Sequence, residues 1–227
     1  MIEIKAVSKK YDGTNALALE EMSLNLNSGD FIFLVGPSGA GKSTLIRLMF
    51  REQLPTKGNI YFDKKDIASY SQRELLEHRR KIGMVFQDYK LLKQKTVFEN
   101  VAFALEVLGR PPKEINKKVN DALEKVGLSH KADKFPRELS GGQQQRVGIA
   151  RAIVKDPVLI LADEPTGNLD RDNALQLMQL FEKINEEGTT VVIATHAWDL
   201  VDKMQKRVVA LSSGKLTRDK QGGYSHE

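Results

Sequence analysis

Three short segments of this chain carry residue types that could handle phosphate. The first, Gly36-Pro37-Ser38-Gly39-Ala40-Gly41-Lys42-Ser43-Thr44, has the spacing G-x-x-x-x-G-K-S. Glycines let such a loop turn sharply, and its N–H groups then point inward as a nest for phosphate oxygens. Lys42 is placed to reach β- and γ-phosphates, and the Ser43 hydroxyl to ligate Mg²⁺. The second segment ends in Asp163-Glu164, directly after the apolar run 158–162. Asp163 suits a Mg²⁺ held through water. Glu164, one residue on, suits orienting or deprotonating an attacking water. The third is Leu139-Ser140-Gly141-Gly142-Gln143. Ser140 reads as the N-cap of a helix over 143–154, which makes a second helix N-terminus able to face an anion. Taken alone, it also reads as an ordinary capped helix.

These groups need particular elements behind them. The runs 31–35, 82–86, 158–162 and 190–194 are apolar without alternation, as in parallel strands buried on both faces. Helices between them give an α/β fold with a mainly parallel core sheet. Ligands bind beyond the carboxyl ends of such strands, where the phosphate loop, Asp163 and Glu164 all fall. Alternating segments at 2–8 and 22–26, with 59–62, read as a small antiparallel β layer. From 87 to 156 the pattern turns helical. Thr96-Val97-Phe98-Glu99 is a capping box opening a helix with Val97, Val101, Leu105 and Leu108 on its apolar stripe. Ile115, Val119, Leu123 and Val126 mark the next stripe, which Gly127 ends.

The pentapeptide 139–143, following a phosphate loop and preceding Asp163-Glu164, resembles the signature of the ATP-binding cassette (ABC) ATPases. The resemblance runs the length of the chain. It implies one ABC domain: a nucleotide-binding core with an antiparallel β layer at 1–86 and 157–227, and an inserted helical subdomain at 87–156. It implies ATP and Mg²⁺ as ligands and Mg-dependent hydrolysis of ATP. By the same resemblance, Tyr11 stacks on adenine. Gly36, Ser38, Gly39, Ala40, Gly41, Lys42, Ser43 and Thr44 surround the phosphates. Gln87 contacts Mg²⁺ and water. Asp170 crosses a dimer interface, and His196 meets the γ-phosphate. Ser140, Gly142 and Gln143 would cap the ATP held by a second copy, so two ATP molecules would lie between two subunits. Taken singly, Tyr11 reads as a surface aromatic and His196 as a histidine at a strand end. One position departs from the family pattern: Ala197 follows His196, where an acidic or amide residue is common.

Asp163-Glu164-Pro165-Thr166-Gly167-Asn168-Leu169-Asp170 is typical of the branch of the family that serves mechanotransmitting membrane proteins. Phe50-Arg51-Glu52 and Phe86-Gln87-Asp88-Tyr89-Lys90-Leu91-Leu92 resemble its bacterial cell-division members. That implies an integral membrane subunit as partner and a homodimer formed on ATP binding. A substrate exporter or lipoprotein-extracting ATPase shares every catalytic motif and is the alternative.

Composition bounds these readings. The chain has 227 residues, suited to one large domain, with 35 Lys+Arg against 30 Asp+Glu and a formal net charge of +5. Its basic runs, at 78–81, 93–95, 113–118 and 215–220, are scattered without an aromatic-interleaved stripe, so no nucleic-acid partner is expected. There is no cysteine, hence no disulfide framework. Neither an apolar leader at the N-terminus nor a run of about 20 apolar residues is present. A cytoplasmic location is expected, peripheral on the inner face of the cell membrane through the partner. Asn116-Lys117-Lys118-Val119 is not the Asn-Lys-x-Asp of guanine recognition, which argues against a GTPase.

Overall fold

The computed structural model describes residues 1–13 and 16–223. Two sheets face each other. The larger is built on β3 (Phe31–Val35), β6 (Ile82–Phe86), β7 (Leu159–Asp163), β8 (Thr190–Ala194), β9 (Arg207–Ser212) and β10 (Lys215–Lys220), in the order β10-β9-β3-β8-β7-β6. All neighbours pair in parallel except β10, which returns antiparallel beside β9. The smaller sheet joins β1 (Ile2–Lys10), β2 (Leu17–Leu26), β4 (Lys57–Phe62) and β5 (Lys65–Asp66) in antiparallel order β2-β1-β4-β5.

β3 and β8 are buried at all five positions. That is the environment their unbroken apolar sequences suit, since both sheet faces are covered. On one face lies helix α1 (Lys42–Met49), under the small sheet, with Leu45, Ile46, Leu48 and Met49 in a core shared with Ile4, Leu24, Leu161 and Val192. On the other lie α3 (Val97–Glu106), α4 (Pro112–Lys125), α5 (Gly141–Ile153) and α6 (Arg171–Glu186). Val147 of α5 and Phe181 of α6 share a core there with Phe33, Val85 and Ile193, while α3 and α4 pack on α5 and on each other, bringing Val101 and Leu123 into the same cluster. The helical stretch thus shares one continuous apolar cluster with the core sheet. Helices α2 (Gln72–Arg80) and α7 (Trp198–Met204) complete the chain.

Thr96 caps α3 as the sequence suggests: its side chain accepts from Glu99 N–H, and Glu99 reaches back to Thr96 N–H. The differences from the sequence reading are mostly of extent. β2 begins at Leu17 rather than at residue 22. The run 215–220, one of the scattered basic runs, is strand β10. Its charged side chains are those of a sheet edge exposed to water.

Candidate functional site

The register of the parallel strands assembles the site. Phe86 pairs with Asp163, Asp163 with Ala194, and Ala194 with Leu34. The residues just beyond these four positions, namely Gln87, Glu164, the Thr195-His196 turn and the phosphate loop, therefore leave the sheet in one row. Side chains from three separate stretches, the phosphate loop, Asp163-Glu164 and His196, meet because their strands end level, and Gln87 leaves the sheet beside them.

The loop depends on glycine at its two ends. At Gly36, φ is +145° and a Cβ would come 2.2 Å from the Leu211 carbonyl oxygen. At Gly41, φ is +106° and a Cβ would meet the Ala18 carbonyl oxygen at 2.6 Å. No other residue type fits either position without moving backbone. Between them Ala40 N–H donates to the Pro37 carbonyl, and Gly41 leads into α1 as its left-handed N-cap. The helix N-terminus therefore opens into the loop.

Lys42 is 6% exposed. Its ammonium donates to the Gly36 carbonyl at 2.8 Å and the Pro37 carbonyl at 3.3 Å, and stands 3.6 Å from Glu164 Oε1. A buried cation needs such partners. The Ser43 hydroxyl donates to Asp163 Oδ1 at 2.9 Å. The adjacent hydroxyl and carboxylate are hard oxygen donors of the kind Mg²⁺ takes alongside water and phosphate. Burial pushes the Asp163 carboxyl above its ordinary range; the Ser43 hydrogen bond opposes this, and the neighbouring Glu164 charge adds to it.

That shift has a sign. A carboxyl raised on folding favours the native state at low pH, and this contribution is lost as pH rises through the folded-state value. At neutral pH ionised Asp163 therefore destabilises the chain, and a cation beside it relieves the strain. Asp163→Asn keeps an acceptor for Ser43 and removes the charge. It should melt higher than wild type without nucleotide, by roughly 2–4 °C per kcal/mol relieved, and lose Mg-dependent turnover. A lower melting temperature would show that the buried charge is not a burden.

Glu164 sits at φ +49°, in the left-handed region. For a residue with a Cβ this costs about 1–2 kcal/mol. Two backbone bonds hold the turn: Glu164 N–H donates to the Ala194 carbonyl, and Gly167 N–H to the Glu164 carbonyl. The carboxylate is thereby turned back over the loop. His196 Nδ1 is 2.9 Å from Glu164 Oε2, but the approach is not aligned for a hydrogen bond, and Oε2 is buried without one. The histidine side chain is 66% exposed, so it can turn to meet another group. Tyr11 is tied to the loop through its hydroxyl, 3.2 Å from Thr44 Oγ1.

A second group forms apart from the first. Ser140 caps α5: its hydroxyl accepts from Gln143 N–H, and Gln143 Oε1 accepts from Ser140 N–H. Asp170 caps α6, accepting from the backbone and side-chain amide of Asn173. Asn173 lies against Gly142, where a Cβ would meet its Oδ1 at 3.4 Å. Gln87 stands between the two groups. Its carbonyl accepts from Asn168 Nδ2, and its own amide is close against Gly167. Among the described residues no hydrogen bond or ion pair joins Ser140, Gly142 or Gln143 to the phosphate loop. Arg151, Gln145 and Asn173 were not singled out from sequence as site residues. They touch backbone atoms or neighbouring side chains, and only the fold reveals those contacts.

The family model for ABC transporters matches residues 19–167 of the chain. The chain belongs to the ATP-binding cassette family. It is 52% identical over 223 residues to the cell division ATP-binding protein FtsE of Bacillus subtilis, covering 98% of this chain and 97% of that one. FtsE of Escherichia coli K12 is 46% identical over 227 residues, with both chains covered completely. Among solved structures, the dimeric post-hydrolysis state of the cassette MJ0796 bound to ADP and Pi superposes with a TM-score of 0.88. It has 37% identity and covers 97% of this chain and 98% of that one. The α/β architecture is that of an ABC ATPase, with the phosphate loop, Asp163-Glu164 and His196 at the carboxyl ends of the parallel strands of the core sheet.

Proposed function

We propose that this ABC ATPase is the ATP-hydrolysing subunit of an FtsEX-type division complex. Two copies close on two ATP molecules, and closure drives a conformational change in an FtsX-like membrane subunit that controls cell-wall hydrolases. The observation that carries the ATPase part is the single row of Lys42, Ser43, Asp163, Glu164 and His196. The division role rests on full-length similarity to FtsE proteins.

In this reading the loop amides and Lys42 bind and orient the phosphates, Ser43 and Asp163 would hold Mg²⁺, and Gln87 would reach the metal and the attacking water. Mg²⁺ held there would supply neutralisation of phosphate charge. Glu164 accepts the proton of the attacking water as its oxygen adds in line to the γ-phosphorus and the bond to the bridging oxygen breaks to release ADP, and His196 turns onto the γ-phosphate. Tyr11 stacks on adenine. The separation of Ser140, Gly142, Gln143 and Asp170 from the loop of their own chain suits a role on the partner's nucleotide. Residues 87–156 act as the helical subdomain that transmits closure. Phe103 and Val107 stand exposed at and just beyond the end of α3, as a docking face for a membrane subunit would require. No helix among the described residues is long and apolar enough to cross a membrane, so membrane attachment would come through the partner.

The test is purification of the tagged chain from gently solubilised membranes. Co-purification of an FtsX-like subunit supports the division role. A transporter permease in its place would assign the chain to an exporter or lipoprotein-extracting complex.

A further inference from the structure

The segment after Gln87 is held in an unusual backbone. Tyr89 and Lys90 are consecutive non-glycine residues with φ of +59° and +48°. Such a pair does not persist without support from its surroundings. Besides the turn bonds from Tyr89 N–H to the Phe86 carbonyl and from Lys90 N–H to the Asp88 carbonyl, one side chain on α5 braces it. Arg151 donates from one guanidinium nitrogen to the Tyr89 carbonyl at 2.9 Å and from the other to the Lys90 carbonyl at 2.7 Å. The planar fork of arginine matches two adjacent carbonyls, which a lysine ammonium cannot do as well.

The same helix grips this segment elsewhere. Gln145, fully buried, donates from Nε2 to the Phe86 carbonyl, one residue before Gln87. Gly148 brings the α5 backbone against the Tyr89 carbonyl, 3.7 Å from where a Cβ would stand. At the helix start the Tyr89 hydroxyl lies 2.9 Å from where a Cβ on Gly141 would be. Tyr89 thus touches the first turn of α5 with its side chain and the third with its carbonyl. Partial burial lowers the affinity of the Arg151 guanidinium for its proton.

We propose that Arg151 is a positioning residue that locks the Gln87 segment to the helix beginning at Ser140, so that the two move as one rigid piece. A change at Gln87, beside the γ-phosphate of one site, is then carried to Ser140 and Gly142, which face the other. Arg151 touches no nucleotide; it acts through the backbone at Tyr89 and Lys90. The proposal rests on the ATPase reading above, and its test separates the two.

The full chain is assayed with Mg-ATP as wild type, Arg151→Met, Arg151→Lys, Gln87→Ala and the double variant Gln87→Ala/Arg151→Met. Arg151→Met should lower kcat roughly 10- to 100-fold, the scale of a small misplacement of reacting groups, with KM changed less than about twofold. Arg151→Lys should recover part of the rate. The double variant should be no slower than Gln87→Ala alone, because both lesions lie on one route. Losses that multiply, or an unchanged kcat in Arg151→Met, would overturn the proposal. Amide exchange guards against a variant that folds poorly. In Arg151→Lys, residues 88–91 should exchange faster while β3 stays protected. Unchanged protection at 88–91 would equally overturn it. A wild-type chain without ATP hydrolysis would defeat the ATPase reading instead, and the exchange result would still decide the role of Arg151.

Discussion

Glu164→Gln is expected to lower ATP hydrolysis by about 10²–10⁴, the usual contribution of a positioned general base, while ATP still binds. The substitution keeps size and hydrogen-bonding capacity and removes basicity. Glu164 is suited to the task by placement: a left-handed turn after β7 aims it over the loop, 3.6 Å from the Lys42 ammonium. Nothing in the turn depends on the carboxylate, since its two backbone bonds are made by Glu164 N–H and C=O. The variant should therefore fold as wild type does and accumulate as an ATP-bound dimer, visible by light scattering. Turnover within about a factor of two of wild type would remove Glu164 from the mechanism.

The second large effect is on binding. Lys42→Ala should abolish most ATP affinity. Lys42 is the only side-chain cation within the loop 36–44, and it is held inward by the Gly36 and Pro37 carbonyls. Wild type at ATP near 100 times its Kd gains about 2.7 kcal/mol of stability. At roughly 2–4 °C per kcal/mol for a chain of this size, a thermal shift is readily measured. The variant should show little or none. Equal shifts in variant and wild type would place the nucleotide elsewhere.

The parts of this molecule legible in the sequence are those whose signal is local. Phosphate-loop spacing, the capping box at Thr96, the N-cap at Ser140, and the unbroken apolar runs of β3, β7 and β8 each occupy a few consecutive residues. The hairpin of β9 and β10 was not read. Lys215-Leu216-Thr217-Arg218-Asp219-Lys220 has the composition of a solvated surface, and only its pairing with β9 makes it a strand. Ser213 and Gly214, both at positive φ, were the available hairpin signal. At the site, the motif residues could be named, but their meeting depends on strand register. The tie from Arg151 to Tyr89 and Lys90 is less legible still. Its acceptors are backbone carbonyls, which every residue carries, so no residue type betrays them.

The central claim is that each nucleotide is shared between two copies, with Ser38 of one chain near Gly141 of the other. Ser38→Cys/Gly141→Cys in the Glu164→Gln background tests it directly, because the chain has no cysteine of its own. The two positions belong to separate groups of the same chain. Gly141 also lies against Tyr89, so the variant must first be shown to bind ATP. Under mild oxidation, Mg-ATP should produce a species of twice the chain mass on non-reducing gels, absent without nucleotide and absent when Lys42→Ala is added. A disulfide that forms only within single chains, whatever nucleotide is present, would contradict the shared site.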